Sequence, residues 1–271
     1  MAMSVQNNVS AMNAYRNLSN TQTNLSSSLE KLSSGFRINR AADDAAGLAI
    51  SEGLRSQIGG LNVAVRNAQD GISVVQTAEG ALNETHAILQ RMRDLSVQAS
   101  NTGALSDTAK GNIQAEIDQL AEGLDAIASQ TKFNGTELLD GSYAGTFQVG
   151  ANVGEVITVT IGQDMSASGL AVSGLALATA PGDAIDAIDA AIDTVSQVRS
   201  DLGAKQNRLD HTINNLQVSV ENLTASESRI RDTDMANEMV SYTSSNILQQ
   251  AGTAMLAQAN QMPQSILSLL R

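Results

Sequence analysis

The feature that most constrains the fold is a ladder of apolar residues spaced seven apart in the C-terminal third of the chain. Its members are Ile188, Val195, Leu202, Leu209, Leu216, Leu223 and Ile230. A partner row three or four residues away contains Ile185, Ile192, Ile213 and Val220. Because a strict repeat of seven keeps one narrow apolar stripe facing a partner helix, the ladder predicts a coiled-coil helix rather than one side of a globular core.

The composition favours helix pairing over a thick globular interior. Of the 271 residues, 42% are hydrophobic, yet there is no Trp and there are only three Phe and three Tyr. Small aliphatic side chains suit closely paired helices, whereas aromatic side chains normally fill a thick core. The formal net charge of −12 argues against nucleic acid or an anionic membrane as partner, because both require clustered Lys and Arg.

The sequence carries none of the common catalytic patterns. It has no cysteine, which excludes a disulfide scaffold and a thiolate metal site. His86 and His211 are isolated, and no HExxH, GxSxG, P-loop or Rossmann pattern occurs. The adjacent Asp43 and Asp44 are interpreted as a helix cap rather than a cation site. We therefore predict a protein without enzyme activity, cofactor or metal.

The first residues do not resemble a secretory signal. Residues 1–19 contain no basic segment followed by an apolar run, and no stretch of the chain has the apolar length of a membrane span. We therefore expect that the protein, if it leaves the cell, does so without a cleaved signal peptide.

Residues 4–36 repeat the ladder in miniature. One sevenfold row is Ala11, Leu18, Leu25 and Leu32, and the adjoining row is Tyr15, Leu29 and Phe36. The remaining faces are mostly Asn, Ser, Thr and Gln, without the Glu and Lys pairs of a solvated coiled coil. Such a face is typical of a helix surrounded by other copies, although an ordinary bundle helix fits the periodicity equally well.

The middle of the chain predicts two helices and one hairpin. The helices cover about residues 61–99, after the pair Gly59–Gly60, and about residues 106–130, before a turn at Asn134–Gly135. The stretch from 138 to 181 is rich in Gly, Ser and Thr. Within it, residues 146–149 and 156–161 are the only convincing strands.

A long C-terminal helix is predicted after Pro181, with Asp183 as its cap. Before Pro263, Gly203 and Gly252 are the only residues expected to interrupt this helix. The simplest arrangement is a fold-back in which the two terminal helices pair. Two thin helices bury too little apolar surface to offset backbone ordering at about 1–2 kcal/mol per residue. We therefore expect the terminal arms to pack against other molecules.

Several long motifs resemble bacterial flagellin. They are Ser33–Ser51, Gln130–Gly135, Arg231–Ala236 and Gln250–Gln261, followed by Pro263 and Leu267–Arg271. The motifs occur in the family's order and include both ends of the chain. The sequence is thus similar to flagellins over nearly its whole length, with Phe36 where the family usually has Leu or Tyr.

The resemblance implies a minimal flagellin with a mainly α fold, an elongated fold-back of long helices with one small β-hairpin region. Residues 1–40 and 235–271 are then the terminal arms that form the inner tube of the flagellar filament. Residues 41–234 are a helical rod with the hairpin region at about 138–181. That region is too short for the large variable outer domain of many members, so no such domain is predicted.

The resemblance also implies function and partners. A flagellin is a structural subunit that self-assembles into the extracellular flagellar filament for swimming, after export through the flagellum-specific channel. The implied partners are other flagellin subunits, an export chaperone on the C-terminal arm, and the filament cap and hook-junction proteins. Recognition by a vertebrate Toll-like receptor is implied as well, with Arg91, Leu95 and Glu116 at the matching positions.

The apolar residues divide into two predicted interfaces. The rod seam packs within one subunit and contains Val195, Leu202, Leu209, Leu216, Leu223 and Ile230. The arm residues pack between subunits and include Leu18, Leu25, Leu29, Leu32, Met239, Leu248, Met255, Leu256 and Leu269. The alternative is a non-flagellar coiled-coil binding or adaptor protein, which a stable, fully helical small oligomer at high concentration would favour.

Overall fold

The computed structural model describes residues 7–101, 103, 105–176 and 180–269, with side chains to residue 261. The predicted mainly α class is confirmed. The helices are α1 (Val9–Ser34), α2 (Ala45–Ala99), α3 (Asp107–Gln130), α4 (Pro181–Arg231) and α5 (Met235–Leu269). The strands are β1 (Lys132–Phe133), β2 (Thr136–Glu137), β3 (Tyr143–Gln148) and β4 (Val156–Ile161). Among the described residues, no helix is long and apolar enough to span a bilayer.

The chain forms two compact units. The terminal unit is drawn from Met1–Ser56 and Asn222–Arg271, and the central unit is Gln57–Glu221. The terminal unit thus includes residues 41–56 and 222–234, which the sequence assigns to the rod. The assignment of these segments to the inner tube or to the rod of a filament stays a prediction.

The sevenfold ladder forms the buried seam of the central unit. Ile188, Val195, Leu202 and Leu209 are at most 1% exposed, and Leu216 is 9% exposed. Leu223 and Ile230, which belong to the terminal unit, are only half-buried. The same heptad repeat on α4 is therefore buried in the core of the central unit along most of the helix and only partly buried near its C-terminal end.

A second sevenfold seam on α2 escaped the sequence analysis. Its buried positions are Ala64, Ala68, Gly71, Val75, Ala78, Leu82, Thr85, Leu89, Met92, Ser96 and Ala99. Because many of these positions hold Ala, Gly, Thr or Ser, the sevenfold repeat is not apparent from hydrophobicity. The hydroxyls of Thr85 and Ser96 donate to the carbonyls of Ala81 and Met92 on the same helix, so they are buried without an unsatisfied hydrogen bond.

The glycine pair Gly59–Gly60 does not interrupt α2, contrary to the sequence-based boundary at residue 61. A Cβ on Gly60 would lie 3.1 Å from the Cβ of Ala151, and one on Gly71 would lie 3.3 Å from Leu209 and from Phe147. At Gly60 and Gly71 the missing side chain lets the hairpin loop and the core approach the helix. Tertiary packing thus outweighs the low helix propensity of glycine.

The predicted hairpin is confirmed, and a smaller one precedes it. β4 has the predicted bounds, and β3 begins three residues earlier than expected. Ile157, Val159 and Ile161 are buried, whereas the residues between them are exposed. The predicted turn at Asn134–Gly135 has positive φ at both residues, 50° and 82°, and it joins β1 to β2 in a hairpin that the sequence did not predict.

The long C-terminal helix is not continuous, which corrects the prediction. The chain leaves the helix at residues 232–234, and α5 starts afresh because the Asp234 carboxylate accepts the backbone N–H groups of Ala236 and Asn237. Gly203, Gly252 and residue 263 all lie inside helices. At the other end, Asp183 is not the cap; it lies in the first turn, because α4 already begins at Pro181.

Replacing Leu202 by Ala is expected to destabilise the central unit by about 2–5 kcal/mol, because Leu202 is 1% exposed and its removal leaves a cavity. The matched control is Val218→Ala on the same helix, which is 56% exposed and should change stability by no more than about 0.5 kcal/mol. Urea unfolding followed by circular dichroism measures both values. Equal unfolding midpoints for the two variants would contradict the seam.

Candidate assembly interface

Helices α1 and α5 pair side by side in opposite directions. The Asn8 side-chain amide donates to the Ala259 carbonyl at 2.8 Å, and further along α1 the Gln22 side chain accepts a hydrogen bond from Gln249. Between them, a Cβ on Gly252 would lie 3.2 Å from Leu18. The rising numbers of α1 thus meet falling numbers of α5, which confirms that the two terminal helices fold back on each other. We call α1 and α5 the arm pair.

The contact within the arm pair is narrow. Leu25 and Ala259 are each 7% exposed, and no other large apolar side chain among the described residues of α1 and α5 is as buried as Leu25. Leu18, Leu32 and Leu256 are half-buried. A single strip of small and medium side chains therefore holds two helices of 26 and 35 residues together.

The other predicted arm residues are exposed. Leu29 is 48%, Met239 50%, Leu248 56% and Met255 65% exposed. The side chain of Leu269 lies outside the described residues. The prediction that these residues pack between copies of the chain is not tested in a single chain, but the apolar surface that it requires is present on the arm pair.

Further large apolar side chains of the terminal unit are exposed. Tyr15 lies on the sevenfold row predicted for the first helix, and Met235 lies at the start of α5, whereas Val9, Met12, Ile50, Val240 and Ile247 were not predicted from the sequence. Among the described residues of the central unit, the exposed large apolar side chains are valines, at positions 63, 97, 153, 156 and 218. Sevenfold periodicity finds the strip that holds one pair of helices, but it does not find apolar residues on the remaining faces of the same helices.

Two open grooves run along the arm pair. One, of about 410 Å³, is lined by Ala14, Leu18, Leu248, Gly252 and Met255 among others. The other, of about 580 Å³, is lined by Met12, Tyr15 and Leu256, together with Arg16 and Asn260. Both grooves are lined by apolar residues together with polar ones, mainly Ser, Asn and Thr, a composition that suits the insertion of another helix.

A cluster of contacts around Arg231 joins the end of α4 to the loop after α1. The Arg231 guanidinium lies 4.7 Å from the centre of the Phe36 ring and 2.8 Å from the Glu52 carboxylate. The Arg231 carbonyl accepts the backbone N–H of Arg37, and the Gly35 carbonyl accepts that of Thr233. Two motifs almost two hundred residues apart in sequence are thus joined by backbone and side-chain contacts.

The loop between α1 and α2 is fixed by its aspartates, as the cap interpretation predicted. Asp44 accepts the backbone N–H of Gly47 and caps α2. Asp43 accepts the backbone N–H groups of Arg40 and Asn39, which lower its pKa. Because this pKa is lower in the folded chain, the contribution to stability is present above the ordinary pKa and is lost as the pH falls through the lowered value.

The three receptor candidates do not form one surface patch. Arg91 donates from Nε and Nη2 to the same Glu116 oxygen, at 2.9 and 2.5 Å, and both side chains are about half exposed. Leu95, by contrast, is 2% exposed and belongs to the core of the central unit. In the folded chain Leu95 therefore offers no exposed side chain to a receptor.

Comparison with known proteins identifies the family. The model of the bacterial flagellin N-terminal helical region matches residues 5–144, and that of the C-terminal helical region matches residues 185–270. The chain belongs to the bacterial flagellin family. Membership of this family makes the chain a subunit of the flagellar filament that polymerises with other copies.

Relatives of similar length cover the whole chain. The flagellins of Bacillus subtilis (strain 168) and Halalkalibacterium halodurans are 50% and 54% identical over 99% of this chain and 100% of their own. The flagellar filament 33 kDa core protein of Treponema phagedenis is 48% identical with the same coverage. Full coverage of relatives of this size agrees with the predicted minimal form.

A solved structure supports the fold. The crystal structure of Bacillus cereus flagellin is 32% identical and superposes with a TM-score of 0.50, covering 56% of this chain and 88% of that chain. A putative flagellar hook-associated protein from Vibrio parahaemolyticus, 15% identical, has a TM-score of 0.59 and covers 70% of this chain and 100% of its own. The second likeness is one of fold alone.

Replacing Arg231 by Gln is expected to loosen the loop at residues 35–44. Loss of the cation–π contact and the ion pair lowers the local opening free energy by about 1 kcal/mol, which corresponds to roughly fivefold faster exchange. Hydrogen exchange at the amides of Arg37 and Thr233 measures this. Arg229→Gln, an exposed position in the same helical turn, is the control and should leave both amides unchanged; equal exchange in all three proteins would contradict the role of the cluster.

Proposed function

We propose that this chain builds the flagellar filament by burying the exposed apolar surface of its arm pair between neighbouring subunits, and that this filament drives swimming. The observation that carries the proposal is the exposure of Leu29, Met239, Leu248 and Met255 on helices that share only a narrow strip. At about 25 cal/mol per Å² of buried apolar area, covering such side chains strongly favours association.

The uncharged faces of the arm pair support a homopolymer over an adaptor. Around the grooves the polar residues are mainly Ser, Thr and Asn, which can be buried with modest desolvation cost when they hydrogen-bond to another copy. An adaptor that stays a small oligomer would keep a charged, solvated outer face. The arm pair lacks such a face along α1, whose described charged residues are Arg16, Glu30 and Lys31.

In the proposed arrangement the two arms, residues 1–40 and 235–271, form the inner tube of the filament. Residues 41–234 form the surrounding rod, and no further outer domain covers them. The chain leaves the helical conformation close to both predicted boundaries, between α1 and α2 and between α4 and α5.

Export and capping are proposed to use the same exposed surface. Before assembly, α5 presents Met239, Val240, Ile247 and Leu248 to solvent. An export chaperone that shields this apolar face would prevent premature polymerisation, and release would follow export through the flagellum-specific channel without cleavage of a signal peptide. Cap and hook-junction proteins would meet the arms at the two ends of the filament.

Deleting residues 235–271 is expected to leave a soluble protein that does not polymerise, since half of the arm pair is gone.

A single substitution tests the contribution of one exposed side chain of the arm pair. Leu248→Asp places a charge on a side chain that is 56% exposed in the subunit, so folding is kept while the critical concentration for polymerisation rises about tenfold or more.

Sedimentation and electron microscopy of concentrated protein measure both effects. The control is Val153→Asp in the loop between β3 and β4, where the side chain is fully exposed but lies outside the arm pair. Long filaments from the truncated protein, or equal critical concentrations for the two substitutions, would contradict the proposal.

A second function, recognition by a vertebrate Toll-like receptor, is proposed for the surface around Arg91 and Glu116. What supports it is a half-exposed ion pair that joins α2 to α3 and offers a guanidinium and a carboxylate together. A receptor with its own charged groups can exchange partners with such a pair at little desolvation cost, because the pair is already partly hydrated.

Arg91→Ala is expected to shift the receptor response to at least about fivefold higher protein concentration, equivalent to ~1 kcal/mol of binding. Arg93→Ala is the matched control, because Arg93 lies on the same helix but pairs with Asp189 on α4. A reporter-cell titration with unassembled protein measures the response. An unchanged response to Arg91→Ala, or an equal shift for both variants, would reject the assignment.

A further inference from the structure

The described methionine side chains differ in exposure between the two units. Those of the central unit, Met92 and Met165, are fully buried. Those of the terminal unit are 47–65% exposed: Met12, Met235, Met239 and Met255. An oxidant in solution therefore reaches the thioethers of one unit and not those of the other.

Two of the exposed thioethers lie in the grooves of the arm pair. Met255 lines one groove beside Leu18 and Leu248, and Met12 lines the other beside Tyr15 and Leu256. A flexible and polarisable thioether packs well against such apolar neighbours when another helix covers the groove. The same sulfur is solvent-exposed for as long as the subunit stays free.

We propose that Met12, Met235, Met239 and Met255 form a site of reversible oxidation by peroxides that controls whether a free subunit can assemble. This inference rests on the function proposed above. In the reaction a peroxide transfers one oxygen atom to the methionine sulfur: the O–O bond breaks, an S–O bond forms, and water leaves when the oxidant is hydrogen peroxide. The sulfur loses two electrons and the peroxide gains them.

Oxidation would oppose assembly because it changes an apolar side chain into a polar one. Each groove is lined by apolar residues together with Ser, Thr, Asn or Arg side chains. The sulfoxide oxygen is a strong acceptor, and it is left without a partner wherever a covering helix presses it against the apolar ones. Burying it unpaired is expected to raise the critical concentration for polymerisation by about tenfold. The core of the central unit is unaffected, since Met92 and Met165 are sealed within it.

The experiment compares free subunits and preformed filaments of the full-length chain. Free protein is treated with hydrogen peroxide, freed of oxidant and concentrated, and polymerisation is followed by sedimentation. Peptide mass spectrometry measures oxidation of each methionine, with Met92 and Met165 as internal references. We expect rapid oxidation of the four exposed methionines, a critical concentration raised about tenfold, and recovery after treatment with methionine sulfoxide reductases. In filaments, Met12 and Met255 should be oxidised at least about tenfold more slowly than in free subunits.

A variant with all four methionines replaced by Leu is the matched control, because Leu and Met have similar volumes and Leu is not oxidised. It should polymerise equally before and after peroxide. Normal polymerisation of fully oxidised protein, equal oxidation rates in subunits and filaments, or a peroxide effect that persists in the variant would each overturn the inference. The comparison between filaments and subunits uses the unmodified sequence, so it stands even if the variant assembles poorly. Failure of untreated protein to form filaments would instead refute the proposed function.

Discussion

Among the described residues of the arm pair, Leu25 is the only large apolar side chain that is buried, and this shortage of internal packing distinguishes α1 and α5 from the helices of the central unit. Leu25 and Ala259 are buried at the contact between α1 and α5, whereas Leu29, Leu248 and Met255 remain half or more exposed. The free energy gained within one subunit is therefore small compared with what a covering helix would add. A chain with such a surface is suited to assembly, and membership of the flagellin family places that assembly in a filament.

The central unit differs from the arm pair because its helices share a buried apolar core within one chain. The ladder from Ile188 to Leu216 packs in a core that also includes the second seam on α2. Gly60 and Gly71 allow the hairpin region to lie close to α2, and the alternating residues of β4 add Ile157, Val159 and Ile161 to the same core. Buried apolar packing is thus concentrated in the central unit, and most of the exposed large apolar side chains lie in the terminal unit.

The predictions from sequence succeeded where a local pattern coincides with the physical cause. Heptad spacing gave the seam on α4, Asp44 gave a helix cap, and alternation gave β4. They failed where a distant contact decides the outcome. Gly59–Gly60 predicted a helix boundary, yet the close approach of Ala151 explains a glycine inside a continuous helix. The seam on α2 went unseen because Gly71, Thr85 and Ser96 occupy buried positions that hydrophobicity alone does not mark.

At the candidate assembly interface, too, local patterns were predictable from the sequence and distant contacts were not. The sequence by itself determined that both ends of the chain carry apolar stripes on uncharged helices, because heptad periodicity and composition are local properties. Its motifs also pointed to the family. Only the tertiary structure decided which residues of these stripes are buried within the subunit and which are exposed, since the exposure of a side chain depends on the helices that pack against it. It likewise placed Arg231 over Phe36, buried Leu95 and paired Arg91 with Glu116, because such contacts join segments that the sequence keeps apart.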